Sequence, residues 1–213
     1  MLAGPNGAGK STFYESHLSA LGLPFLNADV LVAHTGMDTY EAAERIDDAR
    51  RIFVTRRMGF VTETVFSDPV GAKVDFMAEA DALGFDVQLI YIGIEDAEFS
   101  AERVAARVRA GGHDVPLEKI LARYARTLEN LERAIDRLPR VTLYDNSSFD
   151  EPFRLIAEFR NGKLHSSCVN PRPLGPGGFS KAFKHGMNQP PITWVSKSPC
   201  GCRKARMPCM SPS

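Results

Sequence analysis

The chain opens Met1-Leu2-Ala3 and runs at once into Gly4-Pro5-Asn6-Gly7-Ala8-Gly9-Lys10-Ser11-Thr12. A glycine-rich turn that ends in Lys-Ser and leads from a strand into a helix lets backbone N–H groups wrap a phosphate closely. Gly4, Gly7 and Gly9 permit angles and approaches that a Cβ would block. Asn6 and Ala8 complete the loop between them. Lys10 is placed to reach the β- and γ-phosphates, and the Ser11 hydroxyl to ligate Mg²⁺, with Thr12 in the first helical turn. The helix N-terminus adds the positive end of its dipole. A glycine-rich turn without function is the alternative, and it does not call for the complete motif at a strand–helix junction. The motif implies ATP or GTP with Mg²⁺, held at the carboxyl end of a strand in a P-loop sheet.

Downstream, short β-rich runs alternate with amphipathic helical patterns, which marks a parallel α/β sheet of about five strands flanked by helices. The spacing predicts a helix from about Lys10 to Leu21, a strand at Phe25-Leu26-Asn27, and a helix from Tyr40 to Arg57. Ala42, Ala43, Ile46, Ala49 and Phe53 recur at helical spacing there, and Asp38 with Glu41 forms a capping box. Gly59–Val65 reads as the third strand. Asp68-Pro69 supplies a cap and first-turn proline for a helix ending near Leu83-Gly84. Asp86–Gly93 is apolar enough for a strand buried on both faces. Helices are expected over Ala97–Ala110 and Pro116–Leu138, a strand over Val141–Tyr144, and a last helix over Glu151–Phe159.

The loop spelling is shared with transporter-type ATPases, but their Leu-Ser-Gly-Gly-Gln signature and apolar run ending in Asp-Glu are absent. Phosphotransfer needs a base at the carboxyl end of a strand beside the loop. Asp29 stands there, either as that base or as a cap for the helix after it. Glu63, inside an apolar strand and beside Thr62 and Thr64, is costly to bury alone. It is a substrate or Mg²⁺-water contact, or the ion-pair partner of an arginine. Arg103, Arg107, Arg123 and Arg126 flank Gly111-Gly112-His113-Asp114, an arrangement suited to a helical arginine lid or to a solvated charged face. No second ligand stands near His113, which favours a hinge or substrate contact over a metal site.

Taken in order, the loop, Leu26-Asn27-Ala28-Asp29, Phe60-Val61-Thr62-Glu63-Thr64, the segment from Arg103 to Pro116, and Leu143-Tyr144-Asp145-Asn146-Ser147 resemble the zeta-toxin-like P-loop kinases. The resemblance spans about residues 1–163. It implies ATP-dependent phosphorylation of a sugar hydroxyl, with a UDP-N-acetylglucosamine-type nucleotide sugar as acceptor. By match, Asp29 is the base, Lys10 and Ser11 hold phosphate and metal, and Glu63 with Thr64 contacts substrate. Arg107 and Arg123 bridge phosphates, and Asn146 approaches the nucleotide base. Some members are toxins paired with an antitoxin protein. A kinase for a nucleoside or nucleic-acid end, or a nucleotide-binding module without catalysis, is the rival.

Composition divides the chain. Residues 1–158 hold 17 Lys and Arg against 26 Asp and Glu, whereas residues 159–213 hold 9 basic residues and no acidic one. All four cysteines and eight of fourteen prolines fall in the second part. Residues 1–163 therefore read as the kinase-like domain and 164–213 as a basic, disordered tail, from a native arm or a shifted reading frame. Cys200, Cys202 and Cys209 lack a fourth ligand at finger spacing, and sparse aromatics argue against nucleic acid. No apolar run suits a membrane span. The phosphate loop at the very start leaves no room for a signal peptide and implies a shortened first strand. The expectation is a cytoplasmic protein.

Overall fold

The computed structural model describes residues 1–109, 111 and 115–167. The chain begins with β1 (Leu2–Ala3) and passes through the phosphate loop into α1 (Lys10–Phe13). That helix continues through a π-helical turn, Tyr14–Leu18, and a 3-10 turn, Ser19–Leu21. Next come β2 (Phe25–Leu26), α2 (Ala28–Thr35), α3 (Thr39–Thr55), β3 (Val61–Thr64), α4 (Ala72–Ala82) and β4 (Leu89–Gly93). The remaining elements are α5 (Ala97–Arg109), α6 (Leu117–Arg137), β5 (Arg140–Asp145), β6 (Arg154–Arg160) and β7 (Lys163–Ser167).

The strands form one mixed sheet in the order β2-β3-β1-β4-β5-β6-β7. The first five are parallel and the last two antiparallel. Although β1 is two residues long, Leu2 pairs with Glu63 on one side and Ile90 on the other. Strand alternation sorts side chains onto two faces. Ala3, Leu89, Tyr91, Val141 and Leu143 pack with Val74 and Met77 of α4 and Leu131, Ala134 and Ile135 of α6. Leu2, Ile92 and Ile94 pack with Phe13 and Tyr124 on the other. Both faces are covered, as a parallel sheet requires. Among the described residues no helix is long and apolar enough to cross a membrane.

Several expectations need correction. The segment read as a helix over Glu151–Phe159 is β6, which buries Ile156, Ala157 and Phe159 at the edge of β5. Leu143 pairs with Ala157 and Tyr144 with Leu155, so Ile156 is an extra residue in a β-bulge. That bulge breaks the alternation by which a strand is recognised. The turn after it, Asn161 (φ 49°) and Gly162 (φ 74°), carries positive φ at both positions. Asn-Gly is the preferred spelling for that kind of hairpin turn. The change of composition thus falls within a β-hairpin, and β7 extends to Ser167. Asp68 and Pro69 precede the helix rather than start it: Gly71 is the N-cap of α4, and the Asp68 carboxylate accepts from the Ala72 N–H. Asp38 does cap α3 through the N–H groups of Tyr40 and Glu41, while the Glu41 carboxylate turns to Arg45. The expectations for Gly112, His113, Asp114 and the tail beyond Ser167 lie outside the described residues.

Candidate active site

The phosphate loop rests against β4 so closely that a Cβ at Gly4 (φ 146°) would lie 2.2 Å from the Ile92 carbonyl oxygen. Contacts from three directions hold its backbone. Ser100 Oγ on α5 donates to the Asn6 carbonyl at 2.7 Å, and Asn146 Nδ2 after β5 donates to the Ala8 carbonyl at 2.9 Å. The first turn of helix closes with Phe13 N–H donating to the Gly9 carbonyl. Thr12 lies exposed on that turn. Lys10 is buried, its Nζ donating to the Pro5 carbonyl at 3.0 Å. Burial holds its pKa below the usual lysine value. Glu63 and then Asp29 oppose that shift, while Arg107 reinforces it.

Glu63 reaches the loop from the adjacent strand. Its Oε2 accepts from Ser11 Oγ at 3.1 Å and from Asn27 Nδ2 at 2.8 Å, and its Oε1 lies 3.8 Å from Lys10 Nζ. The cation facing the carboxylate is therefore Lys10, and Arg50 meets only the Glu63 carbonyl, at 3.0 Å. Thr64 Oγ1 accepts from the Phe66 N–H at 3.2 Å. The oxygen donors of Ser11 and Glu63 suit a hard cation such as Mg²⁺, which is usually bound through one or two carboxylates, phosphates and water. Among the described residues no cluster of three or more His, Cys, Asp or Glu could hold a metal without such help.

The residue that caps α2 is Asn27, whose Oδ1 accepts from the N–H groups of Asp29 and Val30. Asp29 itself sits in the first helical turn, exposed, with its charge felt at Lys10. Arg107 of α5 also acts on Lys10, so this helix brings positive charge to the loop. Arg123 and Arg126 lie partly buried in the N-terminal half of α6.

Two of the residues named from sequence are held by the chain itself around the loop. Asn146 is buried, with Nδ2 on Ala8 and Oδ1 accepting from Phe153 N–H at 3.4 Å, so its amide braces the loop from beneath. Arg103 packs its guanidinium 4.5 Å from the Phe99 ring centroid and 5.0 Å from that of Phe149. Phe149 is 82% exposed, an unusual position for a large aromatic ring. Sequence reasoning missed Asn27, Arg50 and Phe149. Asn27, directly before a helix, carried a capping signal. Arg50 follows Ala42 and Ile46 at four-residue spacing, so its position on the buried face was readable although its charge disguised it.

A family model described as an AAA domain matches residues 1–131. The chain belongs to this family of P-loop domains. An uncharacterized protein of Haemophilus influenzae is 29% identical over 127 residues, covering 57% of this chain and 88% of its own length. The complex of AvrRxo1-ORF1 and AvrRxo1-ORF2, solved with sulphate ions, aligns with a TM-score of 0.58 at 18% identity. That alignment covers 78% of this chain, which spans only 59% of the AvrRxo1 chain. The same complex with ATP gives a TM-score of 0.57 at 16% identity, over 92% of this chain and 64% of that one. A structure from the PezAT toxin–antitoxin system of Streptococcus pneumoniae aligns with a TM-score of 0.54 at 16% identity, over 87% of this chain and 83% of that one. At such identities the likeness is one of fold.

Proposed function

We propose that this chain is an ATP-dependent phosphotransferase acting on a small-molecule hydroxyl, with a UDP-N-acetylglucosamine-type nucleotide sugar as acceptor. The observation that carries this reading is the meeting of Ser11, Lys10 and Glu63 across the phosphate loop, with Asp29 in the first turn of the helix after β2 and its charge acting on Lys10. Asp29 supports transfer over binding alone because Asn27 already caps α2 and the Asp29 carboxylate stands exposed.

Lys10 and the loop N–H groups hold the β- and γ-phosphates, with Ser11 directly and Glu63 through water as the residues that would hold Mg²⁺. The cation, when bound, neutralises phosphate charge. Asp29 takes the proton of the acceptor hydroxyl as its oxygen attacks the γ-phosphorus. The bond to the β–γ bridging oxygen breaks, and ADP leaves with its electron pair. Arg107 and Arg123 offset the charge spread over the transferred group. The toxin–antitoxin systems among the structural neighbours support an antitoxin protein as partner.

Mass spectrometry of UDP-N-acetylglucosamine incubated with ATP, Mg²⁺ and the protein tests the reading. A product one phosphate heavier, absent with Asp29→Ala and Lys10→Ala, is expected. An unchanged sugar nucleotide with the wild-type protein would remove this acceptor class.

A further inference from the structure

Arg50 is the third member of the α3 stripe Ala42, Ile46, Arg50, and it is only 5% exposed. An apolar residue would continue that stripe without the desolvation cost of a buried guanidinium, and burial does hold its pKa below the usual arginine value. The side chain is committed in three directions. Nε donates to Thr62 Oγ1 at 2.7 Å, Nη2 donates to the Glu63 carbonyl at 3.0 Å, and Nη1 pairs with Asp47. The Thr62 hydroxyl in turn donates to the Leu26 carbonyl at 3.0 Å. Asp47 also receives Lys73 from α4.

The position of this fork matters. Strand β2 ends with Leu26 opposite Thr62, so its ladder stops one residue short of Glu63. Arg50 takes over at that point. It ties the carboxyl ends of β2 and β3 together directly behind the Glu63 peptide, whose carboxylate meets Ser11, Asn27 and Lys10.

We propose that Arg50 is a positioning residue for the phosphate site, fixing the Glu63 backbone so that the carboxylate stays aimed at Ser11. This rests on the phosphotransfer reading for its use in catalysis, but it makes a claim about nucleotide binding that needs no acceptor. Lysine cannot replace arginine here, because one ammonium cannot serve Thr62, Glu63 and Asp47 in a fixed plane.

The test is ATP affinity by titration calorimetry, with Mg²⁺ and with EDTA, for wild type, Arg50→Met, Arg50→Lys, Glu63→Gln and the Arg50→Met/Glu63→Gln double variant. Arg50→Met is expected to weaken binding about tenfold with Mg²⁺ and to leave it within about twofold in EDTA, as loss of an outer support does. Arg50→Lys should not rescue it, and in the Glu63→Gln background Arg50→Met should have no further effect. Should Arg50→Met not fold, Thr62→Val removes one leg of the fork and is expected to shift Mg²⁺-dependent affinity in the same direction. Equal losses in Mg²⁺ and EDTA, full additivity with Glu63→Gln, or no Mg²⁺ dependence in the wild type would overturn the proposal. A protein that shows the Mg²⁺-linked effect yet phosphorylates no sugar nucleotide would refute the proposed acceptor and leave the role of Arg50 intact.

Discussion

Ser11 and Glu63, 52 residues apart in sequence, share a 3.1 Å hydrogen bond across the mouth of the phosphate loop. The bond joins the helix that follows β1 to the end of the neighbouring strand, and Asn27 adds a second donor to the same carboxylate oxygen.

The charge on Glu63 sets a pH dependence. Lys10 must be an ammonium to hold phosphate, and its pKa is lowered by burial, with Glu63 the largest opposing influence. In Glu63→Gln that opposition is gone and the pKa falls further. The protonated form, and with it ATP affinity measured without Mg²⁺, is then lost at a lower pH than in the wild type. Asp29→Asn should shift the alkaline limb in the same direction but less. Identical pH profiles for wild type and Glu63→Gln would show that Glu63 does not tune Lys10.

Asp29→Asn should cost about 10²- to 10⁴-fold in kcat, the usual size of a general-base contribution. Because Asn27 rather than Asp29 caps α2, the fold should not notice the change. Steady-state rates beside thermal unfolding check both halves. A large drop in Tm would mean that Asp29 has a structural task.

Asn146→Ala removes the brace beneath the loop. The Ala8 carbonyl and Phe153 N–H lose their partner, which should cost about 1–3 kcal/mol of stability. ATP affinity should fall as the loop loosens. Unchanged chemical denaturation of the variant would refute the bracing role.

Phe149 is exposed yet packs on Arg103, whose Nη1 lies 3.5 Å from the Gly7 carbonyl. A nucleotide base stacked on that ring would gain about 1–3 kcal/mol. Phe149→Ala should therefore weaken ATP binding severalfold while sparing inorganic tripolyphosphate, which has no base. Equal losses for both ligands would exclude stacking.

Gly162 has φ 74° in the β6–β7 turn, and an added Cβ would approach no atom closer than 3.7 Å. Gly162→Ala should therefore cost only backbone strain, about 1–2 kcal/mol. Urea denaturation measures it. No loss of stability would mean that the hairpin contributes little to the folded domain.

Several features could be read from local chemistry alone. The phosphate loop needs three glycines, a lysine and a serine in fixed order, and the apolar run at Leu89–Gly93 suits only a buried strand. Asp38 declares a helix start through hydrogen bonds to residues two and three positions on. These signals lie within a few residues of one another, where sequence order and spatial order coincide. The β6–β7 hairpin carried such a signal in Asn161-Gly162, but the bulges at Ile156 and His165 hid its alternation.

What tertiary structure decided was the pairing of distant groups. Whether Glu63 faced an arginine, a metal site or a substrate depended on β3 lying beside β1, and no local pattern encodes that neighbour. Asn146 became a loop brace because β5 ends level with the loop, and Arg50 became buried because α3 lies over the end of β3. The sequence determined which residues could do phosphate chemistry, since that depends on side-chain type and short-range backbone geometry. Their partners depended on strand order and register, which are set by burying two whole faces of the sheet at once.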